Sequence, residues 1–122
     1  KGEPTVTDVI PGEGITEEAL VEYAASLESK SEHPLASAII QYAGEQNIQM
    51  DEVTEFTALP GNGLTAKQKG EQLFGGNQIW IQKQVTIADT ILQKAEMLAK
   101  EEKHHYFLQR RKHFWVLLLW QM

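Results

Sequence analysis

The chain has 122 residues, 42% of them apolar and 23% charged, the balance of one globular domain with its own core. A formal net charge of −6 opposes a phosphate backbone as partner, so no nucleic-acid partner is expected, and the lack of cysteine removes disulfides, thiolate nucleophiles and thiolate metal sites. Lys1 to Ile10 has no apolar signal-peptide core, and the longest apolar run, Phe114 to Trp120, falls far short of the ~20 residues of a membrane-spanning helix, so no membrane contact is expected of this chain.

In chain order, Thr5 to Ile10 alternates and is rich in β-formers, which predicts a strand stopped by Pro11-Gly12-Glu13-Gly14. Thr16 offers an N-cap hydroxyl ahead of Glu17 and Glu18, and Leu20, Tyr23, Ala24 and Leu27 then recur at helical spacing as far as Ser29. His33-Pro34 opens a second helix with a stripe of Leu35, Ala38, Ile39 and Tyr42, fading at Gly44 to Asn47. Glu52 to Leu59 is expected to be a strand and Pro60-Gly61-Asn62-Gly63 a tight turn. Leu64 to Lys69 and Gln72 to Gly75, joined at Gly70-Glu71, read as a hairpin. A short helix over Asn77 to Lys83 precedes a longer one from Ile87 to about Glu101, capped by Thr86 and carrying Ile91, Leu92, Ala95, Leu98 and Ala99. Strand, two helices, several strands and two helices predict an α+β fold, an antiparallel β-sheet flanked by helices.

Single features carry little chemistry. His33 at a helix start could present its ring or a nitrogen to a planar ligand, although an isolated His-Pro is more often a plain surface feature. Glu28, five residues earlier, could accept from an exocyclic amine or be a solvated helix charge. Gly61 and Gly63 could let backbone approach a ligand or simply make a turn. Gly76-Asn77 could bring amides to a ribose or phosphate or only cap a helix. There is no P-loop, no Gly-x-Gly-x-x-Gly opening a helix after a strand, and no Ser-His-Asp set. Adjacent His104 and His105 make a poor chelate, so neither a catalytic residue nor a metal ligand is assigned.

Together, Ser31-Glu32-His33-Pro34-Leu35, Gly61-x-Gly63 and Gly76-Asn77, in that order and context, resemble the nucleotide-binding domain of heavy-metal P-type ATPases over Lys1 to about Glu101. The resemblance implies that Glu28 and His33 recognise adenine, that Gly61, Gly63 and the following Leu64 line the cleft, and that Gly76 and Asn77 are its Gly-Asn element. It implies binding of ATP or ADP, with Mg2+ in the parent enzyme, and partnership with the phosphorylation and actuator domains of the same parent chain. The setting implied is a cytoplasmic domain of an integral membrane protein. Copper export is the implied activity, with a zinc or cadmium pump as the alternative and a non-catalytic α+β structural module as the competing reading. Lys1-Gly2-Glu3-Pro4-Thr5-Val6 resembles the stretch after the family motif Asp-Lys-Thr-Gly-Thr-Leu-Thr. That motif is not in the chain, so the fragment is expected to present ATP without forming a phosphoenzyme.

Residues 1–102 are therefore read as the ATP-binding domain and 103–122 as an atypical tail. Past Glu102 the resemblance calls for Gly-Lys-Thr-Pro, a strand and Gly-Ile-Ile-Ala-Val. Back-translated with allowed codons and shifted by one base, Lys103 to Trp120 yields Lys-Thr-Pro-Leu-Phe-Phe-Ala-Glu-Lys-Lys-Thr-Phe-Leu-Gly-Ile-Ile-Ala-Val, which points to a non-native, frame-shifted tail. Its run Phe114–Trp120, outside a designed core, is an aggregation liability.

Overall fold

The computed structural model describes residues 5–11, 14–31, 34–83, 89, 92–93, 96–97, 103–110 and 113–120. Its elements are β1 (Thr5–Ile10), α1 (Glu17–Glu28), α2 (Pro34–Glu45), β2 (Thr54–Leu59), β3 (Gly63–Gln68), β4 (Glu71–Gly76), α3 (Gln78–Gln82), β5 (Lys103–Arg110) and β6 (His113–Trp120). The helix expected over Ile87 to about Glu101 lies largely outside the described residues; those described within it, 89, 92–93 and 96–97, are helical.

α1 starts where its first free amides find a partner: the Thr16 hydroxyl accepts from the Ala19 amide at 3.0 Å, with Glu17 and Glu18 in the first turn. Its apolar stripe, Leu20, Val21, Ala24 and Leu27, is buried and packs with Ala38, Ile39 and Ala43 of α2. Buried Ser26 accepts the Asp51 amide at 2.8 Å, and the Asp51 carboxylate accepts the Glu52 amide at 2.9 Å. The backbone ahead of β2 thus bonds to side chains instead of a neighbouring strand, and β2 begins at Thr54 rather than at the expected Glu52.

Six antiparallel strands follow the order β1-β6-β5-β4-β3-β2. Lys69 and Gly70, both at positive φ (52° and 82°), join β3 to β4 as a two-residue hairpin, so the turn sits one residue earlier than the sequence suggests. Register places Leu64 opposite Gly75 and Ala66 opposite Leu73, and on the next strand Leu73 opposite Arg110 and Gly75 opposite Leu108. On the face under α1 and α2, Leu64, Ala66 and Leu73 join Tyr106 and Leu108 to complete the main core. Full burial of Leu20, Leu27, Ile39, Leu73 and Leu108 contributes about 1.5–3 kcal/mol each. The opposite face carries Phe74 and fully buried Phe107. α3 packs there through Ile81 and through Trp80, whose ring meets Phe74 edge-on at 5.9 Å.

Residues 103–110 and 113–120 thus stand inside the sheet between β4 and β1. Arg110 ties β5 to its neighbours, with 2.6 Å to the Glu71 carboxylate and its guanidinium 4.9 Å above the Tyr23 ring of α1.

Candidate functional site

The C-terminal end of α1, the β2–β3 turn and the β4–α3 junction meet at one end of the sheet around a cleft of about 420 Å³. Glu28, Gly61, Gly63, Leu64, Gly76 and Asn77 all line it, joined by Leu35, Gly75 and Tyr106. His33 lies outside the described residues, as does Glu32. A cleft of this size, mostly apolar with a few converging polar groups, is the usual form of a small-molecule site. A second hollow, about 510 Å³, carries Glu18, Glu22 and Asp51, a lining that repels an anionic ligand.

One wall is backbone. The Asn62 amide donates to the Leu59 carbonyl at 2.9 Å across Pro60-Gly61, with Gly61 at φ 82°, the positive φ that a Pro-Gly turn of this kind demands. A Cβ added to Gly63 would run into the Gly75 carbonyl oxygen and lie 2.7 Å from Gly76 Cα and 2.8 Å from the Trp80 ring, so β3 and β4 reach this proximity only with glycine there. Asn77 fastens this wall. Its side-chain oxygen accepts the Trp80 amide at 2.8 Å as the N-cap of α3, its Nδ2 donates to the Gly61 carbonyl at 2.9 Å, and its own amide donates to the Asn62 carbonyl at 3.0 Å.

The other wall is made of side chains. Glu28, at the last turn of α1, is only 4% exposed, so it is a buried carboxyl and not a solvated helix charge. Burial pushes its pKa up to about 7, an effect that the Tyr106 hydroxyl partly opposes by favouring the ionised form. Burial and the neighbouring Glu28 hold the Tyr106 hydroxyl well above its usual range. Among the described residues that hydroxyl finds no hydrogen bond of regular geometry. It occupies the space that a Cβ on Gly75 would fill, beside the Leu27 side chain.

The structure therefore brings together six of the seven residues singled out in the sequence, and adds Tyr106. The signal for Tyr106 was the alternation of Tyr106, Leu108 and Arg110 against Phe107 and Gln109, which marks a strand with two buried faces. Among the described residues, no three His, Cys, Asp or Glu side chains form a metal-binding group, and no helix is long and apolar enough to cross a membrane.

A family model described as haloacid dehalogenase-like hydrolase matches residues 1–122. The chain is 47% identical over 77 residues to a copper-exporting P-type ATPase of Staphylococcus saprophyticus, covering 63% of this chain and 9% of that protein. It spans about a tenth of the length of the curated relatives it matches. Among solved structures, a zinc-transporting PIB-type ATPase in its E2.Pi state superposes with a TM-score of 0.87 at 25% identity, covering 98% of this chain and 19% of that one. The N-domain of HMA8, a copper-transporting P-type ATPase, shares the fold with a TM-score of 0.79 at 23% identity, and there 95% of this chain covers 98% of the other.

Proposed function

The chain belongs to the haloacid dehalogenase-like hydrolases, and we propose that it is the ATP-binding domain of a heavy-metal P-type ATPase, presenting ATP to an aspartate on another part of a longer protein. The observation that carries this reading is the gathering of Glu28, Gly61, Gly63, Leu64, Gly76 and Asn77 around one cleft, although up to 48 residues of chain separate the first from the last two. In this reading adenine enters between Leu35 and Leu64 with its exocyclic amine toward Glu28. The glycine wall lets the sugar and phosphates pass close to backbone, and His33 adds a second contact to the base.

Phosphate chemistry is assigned elsewhere, to a phosphorylation domain of the parent acting with its actuator domain on the cytoplasmic side. Among the described residues the cleft offers Mg2+ a single buried carboxyl, which does not fit that ion, so no step is derived through it on this chain. Copper is the cargo we favour, because copper exporters are prominent among the relatives, with zinc or cadmium as the alternative.

The competing reading is a structural module. It is favoured by Asn77, whose amide oxygen and nitrogen are both engaged within the protein. Calorimetric titration with ATP, ADP and GTP separates the two. Glu28→Ala and His33→Gln are each expected to weaken adenine-nucleotide binding by about 1–3 kcal/mol, the loss of one polar contact, while the fold persists. Absence of any nucleotide response from the folded chain would leave the structural module standing.

A frame-shifted origin for Lys103–Met122 is part of the same proposal. Two β-rich stretches survive the shift, so the strands formed there suit either origin, and the nucleotide sequence of the gene decides.

A further inference from the structure

Among the described residues that line the cleft, Glu28 is the one carboxyl and no cation stands with it. Across the cavity Glu28 faces Leu35 from α2, Leu64 from β3, Gly75 from β4 and Tyr106 from β5. Of these only Tyr106 titrates, and the only influences resolved on the carboxyl are burial and that hydroxyl. Tyr106 is itself 5% exposed, and its hydroxyl has no hydrogen-bond partner of regular geometry among the described residues. A buried acid and an unsatisfied buried hydroxyl therefore share the deep end of the cleft.

The two protonation states of such an acid read different bases. A neutral carboxyl is a donor and an acceptor side by side, matching the ring N1 acceptor and exocyclic amine donor of adenine. A carboxylate is acceptor only, and it matches the paired N–H donors on the corresponding edge of guanine. We propose that the cleft takes adenine with Glu28 protonated, and that Tyr106 is the positioning residue that holds this carboxyl and governs when its proton leaves. The midpoint near 7 puts that departure within the range where a small change in surroundings matters. Gly75 makes the arrangement possible, since any Cβ there would displace the Tyr106 hydroxyl.

This inference rests on the adenine-site reading, and its test separates the two. ATP and GTP affinities are measured by calorimetry between about pH 6 and pH 9 for the chain, Tyr106→Phe and Glu28→Gln, all in the His33→Gln background, which removes the imidazole that the adenine reading assigns to the base. The nucleotide's own phosphate ionisation is common to every variant and cancels. ATP affinity should fall about tenfold per pH unit above the midpoint while GTP loses nothing comparable. In Tyr106→Phe the fall should begin roughly one pH unit higher, because the ionised carboxyl has lost the hydroxyl that favours it. Glu28→Gln, whose amide reproduces the neutral acid, should keep ATP affinity and show no such fall.

A titration of the Glu28 side-chain carbon by NMR, without nucleotide, should show the same upward move in Tyr106→Phe. Equal midpoints in the two chains, or a Glu28→Gln profile that falls like its parent's, would overturn the inference. Should Tyr106→Phe not fold, the Glu28→Gln profile alone decides. No ATP binding at any pH counts against the site reading itself, and the carboxyl titration then still decides the role of Tyr106.

Discussion

The two walls of the cleft are built by opposite means. The β2–β3 turn and β4–α3 junction form a wall of backbone whose shape depends on missing side chains, at Gly63 above all, while Glu28 and Tyr106 form a wall of side chains held by burial. Damage to the first wall should register as lost stability. Change in the second should register as altered recognition, with stability that depends on pH.

Gly63→Ala is the severest test of that division. The new methyl meets the Gly75 carbonyl and Gly76 Cα, which can yield only if the strands separate, so a loss of about 3 kcal/mol is expected in denaturant unfolding. A loss below about 0.5 kcal/mol, the range of ordinary surface changes, would show that the backbone wall is looser than its geometry suggests.

Next in size is a pH effect from the side-chain wall. Burial raises the Glu28 pKa from 4.5 in the unfolded chain to about 7 in the folded one, so between these values the folded state holds a proton that the unfolded state has released. The contribution is fully present below pH 4.5, declines as pH rises, and is lost above about 7. It amounts to about 2 kcal/mol after allowance for the carboxyl's residual access to water. Stability of Glu28→Gln should be flatter over this window. A parallel decline in both chains would assign the effect to other groups.

The smallest effect belongs to the pin between the walls. Asn77→Ala removes the cap of α3 and the bond to the Gly61 carbonyl, and about 1 kcal/mol should be lost. Nucleotide affinity should drop as well, because the turn is no longer tied to the junction. Unchanged affinity would mean that the turn holds its shape alone.

How much of this was legible in advance differs between the walls. The backbone wall was readable, because Pro-Gly-x-Gly and Gly-Asn signal turns and caps through local chemistry, and Thr16 and the Leu20–Leu27 stripe announced α1 in the same way. The burial of Glu28 was not, since a glutamate at the end of an amphipathic helix looks the same whether water or a sheet covers it. Only the register that sets Tyr106 over Gly75 decides the matter, and register between β4 and β5 is a long-range property. The start of β2 was missed for a related reason, because Ser26 and Asp51 draw that backbone away from the ladder.

The sheet order also bears on self-association. β6, whose sequence is the most continuously apolar of the chain, has both backbone edges occupied, by β1 on one side and β5 on the other. The free edge at β2 is a poor template for another chain: its register shifts between Thr54 and Thr57, and Glu55 stands at a φ of 55°. At the other end of the sheet the edge strand is β1, whose six residues stand between solvent and β6. The strand Thr5–Ile10 thus acts as a seal, keeping the edge of the chain's most apolar strand paired for as long as β1 stays in place.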